Sequence, residues 1–163
     1  MVVTTDELVA DVHFRGTGSP DVVDRKVLRV NLSDLAAMGA TPYGLTLACG
    51  YNRDLEESWI KAFAKGLSED CRAFDIAMLG GDTVATPGPS FFSLTALGTV
   101  PSGRALRRDQ AKPGDLIAMT GTLGDAALGL VVLQEGIDAL AKPLADFLPD
   151  RYWLPQPRLD LGV

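Results

Sequence analysis

Stretches in which apolar and polar residues alternate one for one are interleaved along this chain with stretches in which apolar residues recur every three to four positions. Met1-Val2-Val3-Thr4-Thr5-Asp6 is a β-branched run that predicts an opening strand with Asp6 at its end. Ser19-Pro20-Asp21 then supplies an N-cap, a proline at the first helical position and an acid in the first turn. Gly39 and Pro42 stop the pattern, so a helix is predicted over 20–38. Residues 43–50 alternate with Leu45, Leu47 and Cys49 on one side, as a strand half-buried against helices would. Asp54 with Glu57 resembles a capping box, and Trp59, Phe63, Leu67, Cys71 and Phe74 follow at helical spacing, the clearest helix signal in the sequence. A short strand over 76–79 is predicted to run into a turn at Gly80-Gly81-Asp82-Thr83. Residues 91–100 set Phe92, Leu94 and Ala96 against Ser93, Thr95 and Thr99, a further strand. Residues 116–120 read as a last strand, leading through Gly121-Thr122-Leu123-Gly124-Asp125 into an apolar helix that ends at Gly136. Residues 151–158 carry two prolines and the pair Tyr152-Trp153, which reads as linker chemistry. The chain therefore divides into a domain over 1–150 and a linker over 151–163.

Composition sharpens this outline. At 163 residues, with 47% apolar and 22% charged, the chain suits one compact core rather than a disordered segment. A net charge of −6 opposes binding to a phosphate backbone by bulk electrostatics, so no nucleic-acid partner is expected. Cys49 and Cys71 lie in apolar surroundings without CxxC spacing and read as reduced core thiols, which places the protein in the cytoplasm. No run approaches the roughly 18 apolar residues of a membrane span, so no membrane partner is expected either.

Three aspartates stand where propensity and burial disfavour them: Asp6 at the end of an apolar strand, Asp34 inside a helix and Asp82 after a strand and two glycines. Each alone has a structural explanation, as an N-cap, a satisfied buried carboxylate and a turn residue. Converging, they would repel, by roughly 4 kcal/mol for two carboxylates 4 Å apart at an effective dielectric near 20, and a cation would relieve the repulsion. Oxygen ligands from carboxylates and from Thr4 and Thr5 suit Mg²⁺. Gly80-Gly81 and Gly121-Thr122-Leu123-Gly124 would let backbone N–H groups approach a phosphate, although neither matches the P-loop or the dinucleotide fingerprint. The chain has a single histidine, His13, either half-buried or in contact with a substrate phosphate or ring. Arg104, Arg107, Arg108 and Lys112 form the basic cluster of an acidic chain, a solvated loop or a polyphosphate contact.

Several segments, taken in order, resemble the bacterial thiamine-monophosphate kinase family within the aminoimidazole ribonucleotide synthetase-like superfamily. These are residues 3–14, with Thr4-Thr5-Asp6 and His13-Phe14, residues 31–40 around Asp34, and Leu79-Gly80-Gly81-Asp82-Thr83. Residues 108–115, the run beginning at Gly121 and Pro155-Gln156-Pro157-Arg158 complete the resemblance. It implies an α+β fold, a four-stranded mixed sheet packed by helices that pairs with a second subunit's sheet into a barrel across a homodimer. It implies a phosphotransferase that uses ATP to convert thiamine monophosphate to thiamine diphosphate with several Mg²⁺ ions. By motif position, Thr4, Thr5, Asp6, Asp34 and Asp82 would be metal ligands; Gly81, Asp82 and Arg108 would touch ATP, and His13 the substrate. The resemblance further implies that the family's first segment and its C-terminal domain lie outside this sequence, leaving a fragment inactive alone. The alternatives are another ATP-using enzyme of the superfamily, such as a purine cyclo-ligase or a selenophosphate-type synthetase, or a non-catalytic dimerisation module.

Overall fold

A computed structural model describes residues 1–136 and 140–162. The elements are β1 (Val2–Val9), α1 (Pro20–Ala37), β2 (Thr41–Asn52), α2 (Glu57–Ala73), β3 (Ala77–Thr86), β4 (Phe91–Thr99), α3 (Asp125–Glu135), α4 (Lys142–Trp153) and α5 (Leu159–Gly162). The four strands form one sheet in the order β1-β4-β2-β3. β4 runs antiparallel to both β1 and β2, while β2 and β3 are parallel and joined through α2. The architecture is thus α+β with a mixed four-stranded sheet, as expected.

The period of two in the strands becomes a one-sided sheet. Leu8 of β1, Leu45, Leu47 and Cys49 of β2, and Phe92, Leu94 and Ala96 of β4 are all buried on the face that α1 and α2 cover. Phe92 is the centre of this face: its ring stacks on Phe63 of α2 at 4.6 Å between centroids and meets Tyr51 edge-on at 5.7 Å. Helix α1 adds Val23, Val27, Leu28, Leu32 and Leu35, all buried.

The contact between α1 and α2 also buries polar groups. Asp70 of α2, 1% exposed, accepts from Arg25 Nη1 at 2.7 Å and from Arg29 Nε at 2.6 Å. Asp24 of α1 is fully buried, with Oδ1 accepting from the Arg25 amide and Oδ2 unpartnered. A Cβ at Gly66 of α2 would collide with that Oδ2, so this glycine permits the close approach of the two helices. Burial pushes the Asp24 carboxyl up to about 7, with smaller opposing contributions from the Arg25 amide and guanidinium. Beyond the sheet, α3 packs on α4 where Gly129 meets the Leu148 carbonyl, and α4 and α5 rest on α1.

Five sequence expectations are revised. Strand β1 continues to Val9 because Leu8 and Val9 keep pairing with Phe92 and Phe91, so Asp6 lies inside the strand rather than at its end. Gly80-Gly81-Asp82-Thr83 is strand interior, paired with Thr46 to Cys49 of β2, and neither glycine has a positive φ. Gly81 instead allows its backbone to pass close to the Leu47 carbonyl. Residues 116–120 form no strand: no sheet edge reaches them, and Leu116 and Ile117 are essentially fully exposed. Asp54 does not cap α2, because its amide donates to Asn52 Oδ1 in a turn that ends before the helix begins at Glu57. Arg151, Tyr152 and Trp153 complete α4, where the aromatic pair finds Lys26 and the core to cover it.

Two outcomes follow from this packing. Phe92→Ala removes the central ring and should cost about 3–5 kcal/mol of stability in urea unfolding, more than any single truncation on the exposed face of the sheet. Asp24 carries a raised folded carboxyl against an ordinary unfolded value near 3.8, so the native state holds its proton longer than the unfolded state does. Stability is therefore expected to fall as pH rises from about 4 to about 7, at up to ~1.4 kcal/mol per pH unit, and to level off above that. Urea midpoints of wild type and Asp24→Asn at pH 5 and 8 should converge at the lower pH, with the variant ahead at the higher; a parallel pH response in the two would contradict this assignment.

Candidate functional site

The last turns of α1 carry Asn31, Leu32, Leu35 and Ala36 inward, which turns Asp34 sideways toward β1. There Thr4 Oγ1 donates to Asp34 Oδ2 at 2.7 Å. Two residues along, on the same inward side of β1, Asp6 has its carboxyl raised by burial first and by the charge of Asp34 second, with His13 acting in the opposite direction. Asp6 and Asp34 thus lie within each other's field. The α1 C-terminus adds the negative end of the helix dipole to the same spot.

A cleft of about 570 Å³ opens beside this group, lined by Thr4, Asp34 and Met38 on one wall and by Leu106, Arg108 and Asp109 on another. The Leu106 amide donates to the Met38 carbonyl at 3.1 Å, tying the basic segment to the end of α1. Within that segment Arg107 grips Asp109 through Nε at 3.0 Å and Nη2 at 2.8 Å. Arg108 has no carboxylate partner among the described residues. Asp34 and the Thr4 hydroxyl therefore face an arginine across one cleft, although Arg108 lies far from both in sequence.

His13 follows β1 in a turn, and its Nδ1 accepts from the Val9 amide at 3.0 Å. That bond leaves the ring proton of a neutral imidazole on Nε2.

The remaining sequence candidates lie elsewhere. Thr5 points to the uncovered face of the sheet and pairs its hydroxyl with that of Thr95 at 2.9 Å. Asp82 lies in β3 opposite Ala48, on that same uncovered face, and accepts from its neighbour's amide, Thr83 N, at 2.8 Å. Strands β1 and β3 are the two edges of the sheet, so Asp6 and Asp82 stand three strand spacings, roughly 14 Å, apart. Of the five metal candidates, this chain brings together Thr4, Asp6 and Asp34 and leaves Thr5 and Asp82 apart. Of the nucleotide candidates, Arg108 joins the cleft, whereas Gly81 and Asp82 remain on the β3 edge. The Arg107–Asp109 clasp that shapes the cleft was not singled out from sequence; its signal is an arginine and an aspartate two residues apart beside Arg108.

The donor set suits a hard divalent cation: two carboxylates and a hydroxyl, all oxygen, near a helix C-terminus. Among the described residues no three His, Cys, Asp or Glu side chains gather anywhere. A cation held here would therefore draw further ligands from water or from phosphate oxygens.

Residues 1–100 match the family described as AIR synthase related protein, N-terminal domain. A thiamine-monophosphate kinase of Caulobacter vibrioides is 47% identical over 162 residues, covering 99% of this chain and 45% of that protein. The crystal structure of thiamine-monophosphate kinase from Stenotrophomonas maltophilia K279a superposes with a TM-score of 0.87 at 46% identity, over 99% of this chain and 51% of that one. The structure described as AaThiL complexed with AMPPCP and TMP gives a TM-score of 0.88 at 29% identity, over 98% and 50% respectively. The chain spans about half the length of the curated relatives it matches. On the family match and the fold together, the chain belongs to the AIR synthase related protein family, through its N-terminal domain.

Proposed function

We propose that this chain is the metal- and nucleotide-binding part of a thiamine-monophosphate kinase. The observation that carries the reading is the pairing of Thr4 with Asp34 across one cleft from Arg108, with Asp6 close enough to feel the charge of Asp34. The kinship with thiamine-monophosphate kinases, one of them a complex with AMPPCP and TMP, supplies the reaction class. An oxygen of the thiamine monophosphate phosphate forms a bond to the γ-phosphorus of ATP as the bond to the β–γ bridging oxygen breaks, giving thiamine diphosphate and ADP. Such transfer needs positioning and charge neutralisation more than covalent help. Thr4, Asp6 and Asp34 are the residues that would hold Mg²⁺, which when bound neutralises polyphosphate charge and orients the transferred group. Arg108 would pair with phosphate oxygens, and His13 Nε2–H would donate to the substrate.

Thr5, Gly81 and Asp82 join the same function only if more surface is added. A homodimer in which two sheets close their uncovered faces into a barrel would do this, and the exposed Val3 and Val84 support such closure. Further Mg²⁺ ions would then sit at Thr5 and Asp82. Among the described residues no helix is long and apolar enough to cross a membrane.

Calorimetric titration of a nonhydrolysable ATP analogue tests the site. Weak binding that requires Mg²⁺ and falls at least tenfold in Asp34→Asn is expected, with little or no turnover by this chain by itself; affinity indifferent to both Mg²⁺ and Asp34 would sink the proposal. Sedimentation equilibrium tests the assembly, since Thr95→Arg on the uncovered face should convert a dimer to a monomer without loss of helicity. A wild-type chain that stays monomeric at high concentration would refute the barrel.

A further inference from the structure

A second cavity, of about 650 Å³, lies on the same flank of α1 as the cleft, where Lys26 and Val30 precede Asp34 and Met38 at four-residue spacing. Lys26 and Asp34 are eight residues apart along the helix, roughly 12 Å at 1.5 Å per residue. The two cavities differ in charge balance: the cleft sets Asp34 and Asp109 against Arg107 and Arg108, whereas the second cavity is lined by Lys26, Arg151 and Arg158, with Asp125 as its lining carboxylate.

Lys26 is the informative residue. It is only 9% exposed, yet it has neither a hydrogen-bond nor a carboxylate partner among the described residues; its ammonium lies over the Tyr152 ring at 3.4 Å. Burial alone pulls that ammonium down to about 8. Arg151 contributes a second sign of the same lack. Its Nη2 is paired with Asp150 at 2.7 Å, but its Nε is buried and unpartnered.

The N-terminus of α3 opens on this cavity as well. Gly121 and Gly124, at φ 78° and 93°, turn the chain into the helix, and no side chain caps its first amides. Thr122 donates its hydroxyl to Asp125, and residues 120–126 line the cavity. Arg158 crosses over Gly121 from the far wall, where a Cβ would lie 3.2 Å from Nη2.

We propose that Lys26, Arg151, Arg158 and the α3 N-terminus form a binding site for the phosphate group of a small phosphorylated ligand, separate from the carboxylate cleft. The charges are complementary, and the first residues of α3 line the cavity together with Phe147 and Tyr152. None of these residues belongs to the proposed kinase site, so the two proposals stand or fall separately.

The test is titration of inorganic phosphate and of pyrophosphate into this chain with EDTA present, which removes any contribution from a metal-dependent cleft. Wild type and Asp34→Asn should bind alike, while Lys26→Met and Arg158→Gln each weaken binding at least tenfold with circular dichroism unchanged. Arg158 is exposed, so its variant decides the matter if Lys26→Met fails to fold. The proposal is overturned if folded wild type binds neither anion. It is equally overturned if both cation variants bind as wild type does, or if Asp34→Asn alone abolishes binding.

Discussion

Burial of one face of the sheet against α1 and α2 is the contact on which the other features depend. The stacked rings of Phe63 and Phe92, with Tyr51 set edge-on, hold α2 against the two central strands. The aliphatic face of α1 closes the remainder. Apolar area removed from water supplies the drive, and close-packed rings supply the register. Because the opposite face of the sheet is bare, every strand side chain is assigned by parity either to the helices or to open surface.

That parity sorts the chemistry. Thr4 and Asp6 share a side of β1 with buried Leu8 and so meet the end of α1, whereas Thr5, between them, looks the other way. A one-residue slip of β1 would exchange these roles and place the carboxylate on bare surface. The eight-residue pairing of β1 with β4 prevents such a slip. At α1 the same economy appears in helical form: its inward stripe is core, and its flank carries Asp34 at one end and Lys26 nearer the other. One helix thereby borders a cleft of mixed charge at its C-terminus and a cationic cavity beside the N-terminus of α3, whose dipole reinforces the positive sign. The helix also tolerates buried charge on its α2 side, where Asp70 is held by two guanidiniums while Asp24 is left with an unpartnered oxygen.

Much of the fold was legible from local pattern. The bounds of α1 follow from Ser19-Pro20 and Gly39, and the inward residues of β2 and β4 follow from strict alternation. These signals are local, decided by backbone sterics and by which side of a strand or helix is apolar. Gly80-Gly81 misled because glycine is read as a turn residue, when here it serves close approach to a neighbouring strand that local sequence does not reveal. Residues 116–120 misled in the opposite sense: their strand propensity is genuine, but a strand exists only if an edge is there to pair with it.

The sequence by itself determined β1, α1, β2, α2, β4 and α3 in outline, the buried faces of the strands and helices it recognised, and the chemical kind of each candidate: oxygen-bearing side chains at 4, 5, 6, 34 and 82, and a guanidinium at 108. The tertiary structure alone decided which of them meet. Thr4, Asp34 and Arg108 come to one cleft, with Asp6 within the field of Asp34, because β1 lies beside α1 and the Leu106 amide is tied to the Met38 carbonyl. Asp82 is set apart because two strands stand between β1 and β3. Strand order and helix placement follow from long-range packing, which depends on the whole chain at once and leaves no trace in the spacing of any single motif.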